Sequence, residues 1–241
     1  MNSSMKKNPR NRKINSRKRG GRGFLLIPLF FLVLGLLSSC GLASYPVVYP
    51  PIPSATATEL SFQHNTNNTV SPNFIVLGYD IVYRIYDGTT VSDSTIENDA
   101  SQYISPSVFS SIISNNWNTM TVYRRLNADN GTGPGLSTVP IYPINDGVSS
   151  SYSISININT SGESYLQDDL GKTLYFNRFL GTSIPTKNFT LSDFNAVDID
   201  VPDTYTSGDG ITVAFFCFTY GFSKDLLSLH SNMVYIGSYT F

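Results

Sequence analysis

Cysteine and histidine are scarce in this chain, which has two of each. Cys40 follows a long apolar run, and Cys217 then has no second cysteine with which to pair. The count excludes a disulfide-rich scaffold and a cysteine-rich zinc site, and we expect Cys217 to be a small buried apolar side chain. His64 and His230 lie far apart in the sequence, whereas zinc needs three or four ligands. No cofactor is therefore expected, and His64 is predicted to be solvated or to cap a turn.

Basic residues are scarce after residue 23. Residues 1–23 hold nine of the sixteen Lys and Arg residues and contain no Asp or Glu. From Cys40 onward, seven basic residues face seventeen acidic ones, which gives a net charge of −10. A nucleic-acid partner needs a basic patch on the folded protein. We therefore expect no nucleic-acid partner, although the stretch RKRGGRG by itself is also typical of an RNA-binding tail.

One long apolar run is present, at residues 24–37, directly after the basic stretch. This order is typical of a secretory signal peptide, whose positive charges stay on the cytoplasmic side. The run is shorter than the roughly 20 residues that cross a bilayer. Small uncharged residues follow it, so an uncleaved anchor over residues 24–43 is the alternative.

The sequence Leu-Ser-Ser-Cys at residues 37–40 resembles the lipobox of bacterial lipoproteins, in which an aliphatic residue and two small residues precede a cysteine. In that family the cysteine is lipid-modified and becomes the new N-terminus. The resemblance implies that residues 1–39 are a removed signal peptide and that acyl chains on Cys40 attach the protein to a membrane. In some bacteria an Asp after the cysteine favours the inner membrane. Gly41 stands there instead, so we expect the outer membrane or the cell surface.

Residues 41–57 are proline-rich and uncharged, which predicts a partly extended tether beyond Cys40. From residue 58 to residue 241 the pattern predicts one β domain. The clearest strands are GYDIVYRIYD at residues 78–87 and residues 152–158, where apolar and polar positions alternate. Further strands are predicted at residues 59–64, 119–127, 139–144, 172–179, 211–220 and 233–241.

The expected fold is mainly β, an antiparallel β-sandwich with one or two short helices. A helix is predicted to start at Ser105-Pro106, because a serine N-cap and a proline in the first turn favour that start. A second helical turn is predicted at residues 226–230.

The segment GYDIVYRIYD is similar to the third strand of a fibronectin type III domain, whose pattern is G-Y-x-V-x-Y. Residues 211–237 resemble the final hairpin of that domain, with the best match at residues 231–234. Ile211 replaces the tyrosine of the family, and no Trp lies in the early strands. The resemblance implies a fibronectin type III or immunoglobulin-like sandwich with residues 98–190 as an insertion. In outline the chain is also similar to lipoproteins of spirochaetes.

Acidic residues cluster at Asp198, Asp200 and Asp203. Calcium binds several oxygen ligands, so these residues are calcium candidates, although the spacing of an EF-hand loop is absent. The alternative is that the charges protect a strand edge from pairing with another strand.

Three aromatic residues are candidate contacts for a ligand, because aromatic side chains are enriched at binding hot spots. They are Trp117, Tyr103 and Tyr142. Packing in the core is the alternative for each of them.

These observations predict a non-catalytic cell-envelope lipoprotein that presents a β-sandwich as a binding or structural module for a protein or glycan ligand. No G-x-S-x-G or H-E-x-x-H motif is present. The alternative is an enzyme, a hydrolase of envelope polymers. Such an enzyme would have to gather Asp198, Asp200 or Glu163 in a cleft.

Overall fold

The computed structural model describes residues 47–54, 59–68, 74–101, 123–128, 141–144, 152–178, 180, 186–225 and 228–241. These residues form a mainly β structure with antiparallel sheets and one helix, which confirms the predicted class of antiparallel β-sandwich. The leader, Cys40, the helix predicted at Ser105-Pro106, Tyr103 and Trp117 lie outside the described residues.

The described strands and the helix have these bounds in chain order: β1 Ile52–Pro53, β2 Ser61–Gln63, β3 Phe74–Asp87, α1 Asp93–Ser101, β4 Arg124–Arg125, β5 Asn127–Ala128, β6 Tyr142–Pro143, β7 Ser153–Asn157, β8 Ser164–Asp168, β9 Thr173–Asn177, β10 Ile211–Ser223, β11 Ser228–His230 and β12 Val234–Thr240. Two single turns of 3-10 helix lie at Thr66–Asn68 and Leu191–Asp193. The strands form two sheets. The stretch 98–190 supplies β4 to β9, and four of these strands, β5, β7, β8 and β9, belong to the first, six-stranded sheet.

The first sheet has the order β1-β2-β7-β8-β9-β5, and every neighbouring pair is antiparallel. Ile154 and Ile156 of β7 and Leu166 of β8 are buried, whereas the residues between them are half-buried. This alternation follows from the period of two in a strand, which sends successive side chains to opposite faces. One face of the first sheet therefore belongs to the core, and the other faces outward.

The second sheet is built on β3 and β10, which pair from Asp87↔Ile211 to Phe74↔Ser223. β12 and β11 pair with successive parts of the other edge of β10, and β4 and β6 pair with β3. The register shifts between Tyr220 and Gly221. A Cβ atom at Gly221 would lie 2.1 Å from the carbonyl oxygen of Ile75, so this position requires glycine. The helical turn predicted at residues 226–230 is wrong from Ser228 onward, because β11 completes the sheet there.

The core has two parts, one on each side of β3 and β10. Between the two sheets, residues of β3 and β10 such as Tyr83 and Phe215 pack against Phe62, Ile154 and Phe176 of the first sheet. On the other side, residues of the same two strands pack beneath helix α1. Both faces of β10 are therefore buried, and its sequence is apolar at nearly every position rather than alternating.

Helix α1 begins after Ser92, whose Oγ accepts a hydrogen bond from the Thr95 N–H at 3.3 Å. A serine in this position satisfies one of the free N–H groups of the first turn. Ile96 and Ala100 are four residues apart, so they lie on the same face of the helix. Both are buried against the second part of the core, which fixes the helix on the sheet.

The proline-rich segment is attached to the sandwich over residues 47–54. The side chain of Asn68 bonds to the backbone N–H and C=O of Tyr49, both at 2.8 Å. Thr219 donates its hydroxyl to the same carbonyl at 2.8 Å, and Asn65 donates to the carbonyl of Pro50 at 2.9 Å. Side chains of the domain therefore hold residues 49 and 50, and backbone pairing with β2 holds the rest of this segment at β1.

Candidate functional site

A buried cluster of charges surrounds Arg178, which directly follows β9. Its side chain is completely buried. The guanidinium donates to Asp200 at 2.9 and 2.5 Å, to Asp198 at 3.0 Å and to the carbonyl of Asp193 at 2.9 Å. Lys187 pairs with Arg178 in an isolated β-bridge and donates to both carboxylate oxygens of Asp198, at 2.7 and 3.0 Å. One buried cation and one partly exposed cation therefore neutralise two buried carboxylates.

The protein environment keeps Arg178 charged. Burial alone would lower the pKa of Arg178, but hydrogen bonds and the charge of Asp200 raise it above the usual value for arginine. The guanidinium also lies over the ring of Phe194 at 4.1 Å. Because buried charges are costly unless they are paired and hydrogen-bonded, this geometry is that of a structural ion cluster.

The cluster uses two of the three calcium candidates. Tyr83 donates its hydroxyl to Asp200 at 2.7 Å, so both oxygens of Asp200 and both oxygens of Asp198 accept bonds from protein groups. Asp203 is exposed. Within the described ranges, no group of three or more His, Cys, Asp or Glu residues is placed to hold a metal ion.

The surroundings of Asp198 and Asp200 are turns, not a strand. The N–H of Asp198 donates to the carbonyl of Asn195 at 2.9 Å, and the N–H of Val201 donates to the carbonyl of Asp198 at 3.1 Å. These carboxylates point toward Arg178 and do not line a sheet edge, so the interpretation as edge-protecting charges is wrong. Glu163, the third acidic residue considered for hydrolysis, lies exposed before β8.

Tyr142 is buried and is therefore not an exposed ligand contact. Its hydroxyl donates to Asp168 at 2.8 Å, and the hydroxyl of Tyr152 donates to the same oxygen at 2.7 Å. The other carboxylate oxygen accepts the N–H groups of Leu170 and Lys172, at 3.0 and 2.7 Å. Burial acts to raise the pKa of Asp168, but these hydrogen bonds outweigh it and hold the pKa below the usual value. Asp168 thus closes the turn between β8 and β9.

His64 is buried and neither solvated nor a turn cap. It is 2% exposed, and its Nδ1 shares a hydrogen bond with the hydroxyl of Tyr79 in the core between the sheets. The ring nitrogen Nε2 is buried and has no hydrogen-bond partner among the described residues. Burial lowers the pKa of His64, since the charged imidazolium would lose its hydration.

Acidification below about pH 6.5 is expected to destabilise the domain through its two histidines. Burial lowers the pKa of His64, and it also lowers that of His230 although Asp80 opposes the shift. The unfolded chain then binds protons first as the pH falls. The stability is full above about pH 7 and falls as the pH drops below the unfolded pKa, by up to about 1.4 kcal/mol per pH unit for each histidine.

Urea unfolding between pH 7.5 and pH 5 measures this effect, and the variant His64→Gln is expected to show a shallower decline than the wild type. Equal slopes for the two proteins would contradict the assignment to His64. Asp168, whose pKa is lowered, contributes stability that is lost only at more acidic pH, below about 4.

The outer face of the first sheet differs from these buried clusters because it is uncharged along β7, β8 and β9. Tyr165 on β8 lies directly opposite Tyr175 on β9, with ring centroids 6.0 Å apart and planes at 62°. Tyr175 is 47% exposed. Amide and hydroxyl side chains share this face, namely Ser153, Ser155, Asn157, Gln167, Thr173 and Asn177. The period-two pattern predicted an outward face for residues 152–158, but no sequence pattern had pointed to Tyr165 and Tyr175.

A scan of protein-family models, a search of curated proteins and a search of solved structures each found no match to this chain. In the ranges that the structure describes, which begin at residue 47, no helix has both the length and the apolar character needed to cross a bilayer. The described residues have the fold of an antiparallel β-sandwich.

Proposed function

We propose that this chain is a non-catalytic lipoprotein of the bacterial cell envelope, anchored through Cys40, whose β-sandwich is a binding module. The binding role rests on where the structure places the acidic side chains and the aromatic ones. Asp198 and Asp200 are buried in ion pairs, whereas the outer face of the first sheet carries the exposed ring of Tyr175 among mostly half-buried hydroxyl and amide side chains. Such a surface suits recognition better than proton transfer.

Two further observations support the proposal. The basic and apolar leader ends in the lipobox-like residues 37–40, which favours export and acylation. The two segments similar to fibronectin type III strands, β3 and the strands β10 and β12, are neighbours in one sheet in the order β12-β10-β3. We assign the sandwich to the fibronectin type III or immunoglobulin-like kind on this basis. We assign the location to the outer membrane or cell surface because Gly41, and not an Asp, follows Cys40.

Replacement of Cys40 by alanine is expected to abolish lipid attachment and block removal of residues 1–39. The reason is that acylation and cleavage both depend on this one position. The full chain is expressed in a bacterium with a fatty-acid analogue, and the mass and label of the membrane fraction are measured. The wild type is expected to lack residues 1–39 and to carry label, whereas Cys40→Ala keeps the leader and carries none.

Cys217→Ala provides the matched control, because Cys217 is buried in the core and has no part in anchoring. This variant is expected to be cleaved and labelled like the wild type. A wild-type mass that still includes residues 1–39, unchanged in Cys40→Ala, would show an uncleaved anchor. Protease treatment of intact cells then tests surface exposure of the wild type.

A further inference from the structure

The outer face of the first sheet presents a tyrosine pair in a fixed position. The register places Tyr165 opposite Tyr175, and the next pair along the same two strands is Gln167 and Thr173. A pair of aromatic residues across two strands contributes modestly to the stability of a sheet. This contribution explains why the two rings are in contact. It does not explain why the ring of Tyr175 is 47% exposed.

Hydrogen-bonding groups surround the two rings on neighbouring strands. Asn157 on β7 lies opposite Tyr165, and its amide donates to the hydroxyl of Ser155 at 3.0 Å. On the other side, Asn127 of β5 lies opposite Asn177 of β9, and their side chains form a 2.6 Å hydrogen bond. These bonds orient the side chains, so the face offers ordered donors and acceptors on both sides of the tyrosines.

Among the described residues of β7, β8 and β9, the outward-facing charges lie only at the ends of the strands. Glu163 precedes β8 and Asp169 follows it, while the positions between them that face outward are Tyr165 and Gln167. This lack of charge is notable in a chain whose net charge from Cys40 onward is −10. The surrounding negative charge disfavours an anionic ligand, and the outward positions of β7, β8 and β9 include no cation to pair with one.

We propose that the outer face centred on Tyr165 and Tyr175 binds an uncharged polysaccharide. The face of a sugar ring carries C–H groups, which are attracted to the negative face of an aromatic ring. Sugar hydroxyls both donate and accept hydrogen bonds, and amide side chains such as Gln167 and Asn157 can satisfy both roles. Outward-facing polar side chains continue along three strands, with Thr173 and Tyr175 exposed and the others half-buried. This arrangement suits an extended chain rather than a single enclosed sugar.

This inference rests on the proposed function as a binding module and names the class of ligand for it. The test uses full-length protein extracted in detergent, with co-sedimentation on insoluble cellulose, chitin and β-1,3-glucan. Affinity electrophoresis in soluble neutral and anionic polysaccharides complements it. The wild type is expected to bind at least one neutral polysaccharide and to bind polygalacturonate more weakly.

Tyr175→Ala is expected to weaken that binding about tenfold, since an aromatic anchor at a binding face contributes more than 1 kcal/mol. Tyr175→Phe keeps the ring and is expected to stay within about threefold of the wild type. Tyr49→Ala is the matched control, because Tyr49 is also exposed but lies in the N-terminal segment. It is expected to bind like the wild type. Thermal unfolding of every variant separates loss of binding from loss of fold.

Three outcomes would overturn the inference: no binding of the wild type to any neutral polysaccharide, stronger binding to the anionic one, or full binding by folded Tyr165→Ala and Tyr175→Ala variants. Failure here with normal lipidation of Cys40 rejects the neutral polysaccharide as the ligand and leaves the anchored module in place. If the protein binds neutral polysaccharide but carries no lipid on Cys40, the proposed anchor is rejected and the proposed ligand class is retained.

Discussion

Replacing Arg178 with methionine is expected to lower the free energy of unfolding by about 3–5 kcal/mol. Lys187 continues to pair with Asp198 in this variant, but Asp200 loses both guanidinium bonds and stays buried next to Tyr83. A buried carboxylate without its cation is strongly destabilising, because the protein interior replaces little of the hydration that the charge had in water. Urea unfolding near pH 7.5 measures the loss.

Arg84→Met is the matched control for this experiment. Arg84 bonds to Asp99 at 3.1 Å, with side chains 21% and 30% exposed, and it lies over the ring of Tyr86. A partly solvated pair of this kind contributes about 1 kcal/mol. If Arg178→Met costs no more than Arg84→Met, the buried cluster does not have the structural role assigned to it. Adding Asp200→Asn to Arg178→Met is expected to restore part of the lost stability.

Asp80→Ala is expected to cost about 3–5 kcal/mol by the same mechanism in the second sheet. The Oδ1 atom of Asp80 accepts bonds from Nε and Nη2 of Arg125, the first at 2.9 Å, and from the N–H of Ile141 at 3.0 Å. One buried carboxylate thus connects β3 to β4 and to the residue just before β6. Its removal takes the carboxylate away from the Arg125 guanidinium, which is buried, and weakens the attachment of both short strands.

Asp87→Ala supplies the comparison, since Asp87 is an exposed residue at the end of the same strand. A surface substitution of this kind is expected to change the free energy of unfolding by less than about 0.5 kcal/mol. Denaturant unfolding of the two variants side by side measures the difference. A similar cost for both would show that the buried position of Asp80 does not matter.

Strands with a clear alternation were predictable from the sequence, and β3 and β7 were found within a few residues of their bounds. The reason is that apolar residues recur at every second position in these two segments, and in a pleated strand such residues lie on one face. The strand β8, SYLQD, was missed, because it has only one aliphatic residue in five and its inward positions include Ser164 and Asp168. It forms a strand because it pairs with β7 on one side and with β9 on the other.

Helix α1 was also missed, for a related reason. Ile96 and Ala100 are its buried apolar residues, so the helical period is hard to see in the sequence. The local signal that was available is Ser92 followed by Asp93, an N-cap serine with an acidic residue in the first turn. The helix is fixed mainly by packing on the far side of β3 and β10, and a single segment does not contain that information.

The buried charges were the hardest feature to anticipate. Asp198 and Asp200 look like exposed acidic residues when only their neighbours are read, because carboxylates are rarely buried without a partner. Their partner Arg178 is 20 or more residues away in the chain. A basic residue directly after the apolar positions of TLYFN was a signal, but it does not identify which acid it meets.

The antiparallel β class, the acidic character of the chain beyond residue 40 and the strand faces with period two could all be predicted from the sequence, since composition and alternation are local properties. Only the folded structure shows which charges are buried, that Tyr142 and His64 lie in the core, and that Tyr165 meets Tyr175 on the outer face of the first sheet. These features depend on contacts between segments distant in sequence. Their energies come from burial and pairing, which exist only after the sheets have formed.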